Sequence, residues 1–295
     1  MKKHEYLLVV VLLTLPLVGS TMLFGCASEE QKSTRTEVED SASNNRKDTI
    51  ELQIFASNSL TEALSEVQEL YAKTHDEVIF ASARYLESDS MIVNLRVSVH
   101  PDLFVADSRV LMNSVEDEKL VDMSAREDVF STDLVIVAKR NSGLSGVSIE
   151  DIAAGTYTVA LEDEATLAGS CAAQSFSTIG AYQDPTGKTG VDAVGQGGEY
   201  VEIQPQIGMK ISDVCALVEE GKADTAIIRN ADACRFEGVE VVGSIPPDSH
   251  KRIVYSAAVC MDSKYPKEIT EFLMWTTTDS EALKVWEKWG FDLLA

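Results

Sequence analysis

The chain has 295 residues, 45% of them hydrophobic and 25% charged, which is an ordinary globular balance at a length that favours two cores over one. Its net charge of -23 sets it against nucleic acid, whose phosphates such a surface repels. The charge says nothing direct about a small ligand, because local geometry overrides a screened global field.

Residues 1–25 have the layout of an export signal. Lys2 and Lys3 form a basic start, an apolar run extends from Leu7 to Val18, and Gly25 precedes Cys26. The segment around Gly25-Cys26 resembles a bacterial lipobox, which implies Cys26 as the lipidated first residue of an extracytoplasmic, membrane-anchored protein. An uncleaved apolar anchor is the competing reading, and it places the remainder on the same side of the membrane. Residues 26–48 then form a tether. From Ala27 to Asp48 there is no aromatic residue, Ile or Leu, so the segment cannot bury enough apolar surface to offset its ordering entropy. With Cys26 set aside, Cys171, Cys215, Cys234 and Cys260 remain. In an exported chain these permit one or two disulfides, with buried free thiols as the alternative.

The folded part opens with a strand over Ile50 to Phe55. A polar turn leads to a helix whose Leu60, Ala63, Leu64, Val67, Leu70 and Tyr71 form one apolar stripe. Further strands are expected over Val78 to Ala81, Leu103 to Ala106 and Asp133 to Ala138, with a helix carrying Met91, Ile92, Leu95 and Val99. The second half repeats the pattern in kind. Strands are expected at Thr158 to Leu161, Thr225 to Ile228, Val239 to Val242 and Ile253 to Val259. One helix begins near Ala168, another ends at Gly221, and one or two more run from Lys267 to Trp289. Such alternation implies α/β layers with largely parallel sheets. Residues 183–200 read as a long Gly-rich loop. Its Gly187-Lys188-Thr189 lacks the upstream Gly and preceding strand of a phosphate loop.

Several helix starts follow strand ends. Ser59 with Glu62 fits a capping box, Ser88-Asp89-Ser90 is a second start, and Ala168-Gly169 and Ile211-Ser212 are two more. Free N–H groups and the helix dipole make each start a ready anion site, and in open α/β sheets ligands bind at such strand ends. Plain capping explains any one of them; their convergence on one cleft is the functional argument. Catalysis finds no support. His75, His100 and His250 sit in no nucleophile or metal motif, and His250 lies in a polar turn where a surface or structural role is the default.

The segments IFASNSLTEAL, PDLFVADS, TLAG, GKADTAIIRNADA, IPPDSHKRIVYSAAV and KVWEKWGF, in that order, resemble the molybdate-binding proteins of ABC importers. The resemblance implies the type II periplasmic-binding-protein fold, two α/β lobes with a hinge of two crossings. Lobe I would be residues 49–132 plus 252–295, and lobe II residues 133–251. It implies a monomer that captures molybdate or tungstate with neutral donors, needs no cofactor or bare metal ion, and delivers its ligand to an ABC permease. Ser59 matches the family's first serine. The second falls at Ser88, with Ser82 and Ser90 as alternatives. Ala168 and Ile211 match its backbone donors. At the fifth position, where the family has Tyr, this chain has Arg229, either a charged donor in the cleft or an outward side chain paired with Asp232. Sulfate or another oxyanion is the alternative ligand, and a ligand-sensing lipoprotein the alternative role.

Overall fold

The computed structural model describes residues 49–86, 88–97 and 101–294, with the side chains of residues 88 and 89 outside the description. The readings placed on the export signal, Cys26, the tether and His100 lie outside the described residues. In chain order the elements are β1 (Ile50–Leu52), β2 (Ile54–Ser57), a 3-10 turn (Asn58–Leu60), α1 (Thr61–Thr74), β3 (Val78–Phe80), β4 (Arg84–Leu86), α2 (Ser88–Val97), β5 (Leu103–Ala106), α3 (Arg109–Asp117), β6 (Val121–Thr132) and β7 (Leu134–Lys139). They continue as α4 (Ile149–Ala153), β8 (Val159–Glu162), α5 (Leu167–Thr178), β9 (Tyr182–Gln183), a second 3-10 turn (Gly190–Asp192), β10 (Glu199–Tyr200), β11 (Gln206–Gly208), α6 (Ile211–Glu219), β12 (Thr225–Arg229) and α7 (Asn230–Ala233). The last are β13 (Val239–Ser244), β14 (Ile253–Cys260), α8 (Pro266–Thr278), α9 (Ser280–Lys288) and β15 (Asp292–Leu293).

Two sheets organise the molecule. The first has strand order β15-β6-β14-β5-β2-β4 and the second β11-β8-β12-β7-β13. Alternation along each strand sends side chains to opposite faces. In the first sheet Phe55 and Phe104 pack with Met91, Met112 and Val115 of α2 and α3. Ile54 and Val105 face the other way, toward Leu60, Leu64, Phe272 and Trp286. In the second sheet Val135, Val137, Ala226 and Ile228 cover Val214 and Val218 of α6, while Ile136, Leu161 and Ile227 join Ala172 and Phe176 of α5. All these core residues lie between Leu52 and Phe291, so the cores of both sheets are built from the described residues.

The sheets are mixed, not largely parallel. β4, β2 and β5 run parallel to one another, as do β11, β8 and β12. β14 and β6 in the first sheet, and β7 and β13 in the second, pair antiparallel. The reversal is topological: β6 and β7 carry the chain from one sheet to the other and β14 brings it back. Thr132, the last residue of β6, pairs with Ile253, the first of β14, so the two crossings lie side by side. The fully buried Thr132 hydroxyl donates to the Gly290 carbonyl and accepts from the Ala231 N–H, tying the crossing to both sheets' surroundings.

Other expectations need correcting. Ile50 to Phe55 is not one strand: Gln53 interrupts it, β1 pairs with β3 in a two-stranded sheet, and β2 enters the six-stranded one. The Gln53 N–H donates to Asp102 Oδ2 instead of a ladder. Residues 183–200 are more than loop, since β9 and β10 pair there around the second 3-10 turn. Cys171, Cys215, Cys234 and Cys260 are free thiols, not disulfides, and only Cys234 is exposed. His250 is buried rather than superficial.

Candidate functional site

Each parallel strand triplet carries candidate residues at its carboxyl ends. In the first sheet β2 ends at Ser57, just before Ser59; β4 ends just before Ser88, the first residue of α2; and β5 ends just before Asp107. In the second sheet β8 ends five residues before Leu167, the first of α5, β11 ends shortly before Ile211, the first of α6, and β12 ends at Arg229. Parallel neighbours share the direction of their carboxyl ends, so Ala168, Ile211 and Arg229 occupy one edge of the second sheet. Ser59, Ser88 and Asp107 occupy one edge of the first.

A hydrogen-bonded chain joins the two edges. The Ser59 hydroxyl lies 2.9 Å from the Tyr255 hydroxyl and 3.1 Å from that of Ser57. Ser57 donates to Asp107 Oδ2 at 3.2 Å, and Arg229 Nη1 reaches the same oxygen at 3.5 Å. Arg229 Nε donates to Asp232 Oδ2 at 2.6 Å, and the other oxygen of Asp232 takes Arg235 Nη1 at 3.2 Å. Arg235 Nε then crosses back to Glu62 Oε2 at 2.5 Å. Ser59 and Asp232 are 2% and 0% exposed. Arg229, at 9%, is turned inward, and it pairs with Asp232 as well as reaching the first sheet.

The electrostatics follow from this arrangement. Burial works against the charge of Arg229, but Asp232, Tyr255, Glu162 and Asp107 outweigh it and hold the guanidinium well above its ordinary pKa. Burial pushes the Tyr255 hydroxyl up to about 12, with Arg229 pulling the other way. Tyr255 therefore stays a neutral hydroxyl that can donate or accept.

The helix starts differ in how they are finished. The capping box expected at Ser59 and Glu62 does not form. α1 begins at Thr61 behind Leu60 with no side-chain cap, the Ser59 hydroxyl serves Ser57 and Tyr255, and Glu62 serves Arg235. The intervening 3-10 turn moves the helix start one residue on. At α5, Thr166 caps the Gly169 N–H, leaving the Leu167 and Ala168 N–H groups among those the helix cannot itself satisfy. Gly169 is required there: a Cβ would lie 2.2 Å from the Asp163 carbonyl oxygen and 2.5 Å from that of Glu162. At α6, Lys210 supplies no side-chain cap, so the Ile211 N–H is free of one. Of the alternative serines, Ser82 and Ser90 are both exposed. Asp107, Tyr255 and Arg235 belong to the network and were missed in sequence, and Asp232, expected only as the partner of an outward Arg229, pairs with it while buried. Among the described residues no group of three or more His, Cys, Asp or Glu is arranged to hold a metal ion, and no helix is long and apolar enough to cross a membrane.

The chain is similar to several known proteins. The molybdate-binding protein ModA of Haemophilus influenzae is 27% identical over 243 residues, covering 81% of this chain and 88% of that protein. Among solved structures, the substrate-binding domain assigned to a molybdenum ABC transporter of Clostridium difficile superposes with a TM-score of 0.67 at 22% identity, over 84% of this chain and all of that one. The sulfate-binding protein SubI of Mycobacterium tuberculosis superposes with a TM-score of 0.61 at 16% identity, over 83% of this chain and 87% of that one. The fold is that of the type II periplasmic-binding proteins, two α/β lobes joined by two crossings. The bacterial extracellular solute-binding protein family matches residues 52–292, nearly the whole described chain, and the chain belongs to that family.

Proposed function

We propose that this chain captures a small tetrahedral oxyanion, molybdate or tungstate foremost, between two lobes outside the cytoplasmic membrane and hands it to an ABC permease. Lobe I is residues 49–132 plus 252–295, and lobe II residues 133–251. Its contacts are the Ser59 hydroxyl, the Ser88 region, the Ala168 and Ile211 backbone N–H groups and the Arg229 guanidinium. The observation that carries this reading is the link between strand ends: Arg229, at the end of β12, reaches Asp107, just past the end of β5, and Ser57, at the end of β2, donates to the same Asp107 oxygen. Uncapped helix N–H groups and a guanidinium fork suit a dianion with several oxygens. The relatives named as molybdate-binding point the same way. Sulfate is the second reading, in keeping with the likeness to a sulfate-binding structure. Calorimetry of residues 49–295 against molybdate, tungstate, sulfate and phosphate tests both. Tightest binding of molybdate or tungstate is expected; tightest binding of sulfate would replace the first reading by the second, and no binding of any would sink both.

The chain acts as a monomer held at the membrane through lipid on Cys26. The support is the basic start, apolar run and Gly25-Cys26 junction of the sequence. Expression of the full chain with a labelled fatty acid tests it: the label should appear in the wild type and vanish in Cys26→Ala.

A further inference from the structure

Asp107 is the group at this site whose position does not suit an anion receptor. It stands at the carboxyl end of β5 in the first sheet. Its Oδ2 accepts from Ser57 and from Arg229, so it occupies two groups that would otherwise face a bound oxyanion. Arg229 and Arg235 stand against Asp107, Asp232 and Glu62 within the ion-paired network, and Glu162 lies close enough to act on Arg229 as well. A dianion added to that set would meet more carboxylates than cations.

The two partners of Arg229 are not equivalent. Asp232 is fully buried, belongs to the same sheet's surroundings, and holds Arg229 at 2.6 Å and Arg235 at 3.2 Å with its two oxygens. That is the geometry of a fixed counter-ion. Asp107 comes from the opposite sheet and meets Nη1 at 3.5 Å, a longer and weaker contact. The Asp107 oxygen at Nη1 makes the kind of charge-assisted contact that an oxygen of a tetrahedral oxyanion would make there.

We infer that Asp107 is a tethered competitor for the ligand: it takes Nη1 of Arg229, links the two lobes, and must yield Arg229 and Ser57 before an oxyanion binds. Its binding half rests on the oxyanion reading above; its linking half does not. Removing an internal competitor raises the fraction of protein competent to bind, and the apparent affinity rises in proportion.

The test uses residues 49–295, wild type, Asp107→Asn and Arg229→Gln, each checked for folding by thermal melting. Molybdate binding is read by calorimetry and ligand-free size by small-angle scattering. Asp107→Asn keeps the side-chain shape and should bind molybdate about fivefold or more tightly, with a larger ligand-free radius of gyration than the wild type. Arg229→Gln breaks the same link from the other side. It should enlarge the ligand-free radius too, but bind molybdate more weakly. Opposite signs in binding with the same sign in scattering distinguish a competitor from a merely structural pair. Unchanged or weaker molybdate binding by Asp107→Asn, beside a wild type that binds, overturns the inference and leaves the oxyanion reading standing. Should the wild type bind no oxyanion, that reading falls, and scattering alone decides the link: an enlarged radius in either folded variant supports it, and unchanged radii overturn it.

Discussion

The hydroxyls of Ser59 and Tyr255 lie 2.9 Å apart, joining the carboxyl end of β2 to the strand on which the chain returns from the second sheet. Ser59 is therefore held from the returning strand and is not a helix cap. Ser59→Ala should weaken oxyanion binding by about 1–3 kcal/mol, the worth of a hydrogen bond to a charged group. Because no cap is lost, its effect on α1 should be small. Tyr255→Phe, which leaves Ser59 without that partner, should weaken binding by less than Ser59→Ala does. Calorimetry on the two variants checks the order; wild-type affinity in Ser59→Ala would remove Ser59 from the site.

The contrast between Ser59 and Tyr255 shows what the sequence could carry. Ser59 was legible because a strand, a polar turn and an apolar helical stripe follow one another locally, and a strand end in an α/β sheet faces the ligand crevice. Tyr255 was not, because its partner lies 196 residues away and local pattern holds no trace of such pairing. Asp107 was within reach of the rule applied to Arg229, since it directly follows the buried strand Leu103–Ala106. β6 went unseen for another reason. Only its first residue and its last four are buried, and β15 covers it only at Phe130 and Ser131. Over most of its outer edge its polar residues face solvent, so neither an apolar run nor clean alternation marks it.

Acid should loosen the return crossing through His250. Its Nδ1 lies 2.8 Å from the Lys251 carbonyl, and its buried Nε2 has no hydrogen-bond partner. Burial lowers its pKa, against smaller opposing effects of that carbonyl and Asp133. A depressed histidine contributes stability that is fully present above its ordinary value near 6.5 and is lost as pH falls toward the folded value. The melting temperature should thus fall between about pH 7.5 and pH 5.5, and His250→Asn should flatten part of that slope. An identical slope in the variant would place the acid sensitivity elsewhere.

The thiols give a test of the core. Burial pushes Cys171 and Cys215 up to about 12 and raises Cys260 further, so none offers the thiolate that reacts. Cys234 is raised too, by burial and by Asp232, but it is exposed. A maleimide should label Cys234 alone in folded residues 49–295 and all four cysteines after unfolding. Reductant should leave the melting temperature unchanged, since no disulfide links them; a fall in melting temperature on reduction would contradict the free-thiol arrangement.

Arg229→Tyr restores the residue of the molybdate-binding pattern and separates the two tasks of this side chain. The first is structural. Asp232 is fully buried and holds Arg229 and Arg235 together. Removing Arg229 leaves that carboxylate with one cation, and breaking a buried ion pair costs about 3–5 kcal/mol. A lower melting temperature is expected, and Asp232→Asn in the same chain should recover part of the loss by removing the stranded charge. The second task is binding. A tyrosine hydroxyl is one neutral donor, whereas the guanidinium brings a full charge and a planar fork. On folded protein, the swap should lower affinity for oxyanions, make the remaining affinity less dependent on salt, and shift the molybdate-to-sulfate ratio. The salt dependence is the discriminating measurement, because loss of stability alone does not change it. If the folded Arg229→Tyr protein keeps the wild-type affinity, salt dependence and ratio, Arg229 serves only the Asp232 network, and the oxyanion is held by neutral donors alone.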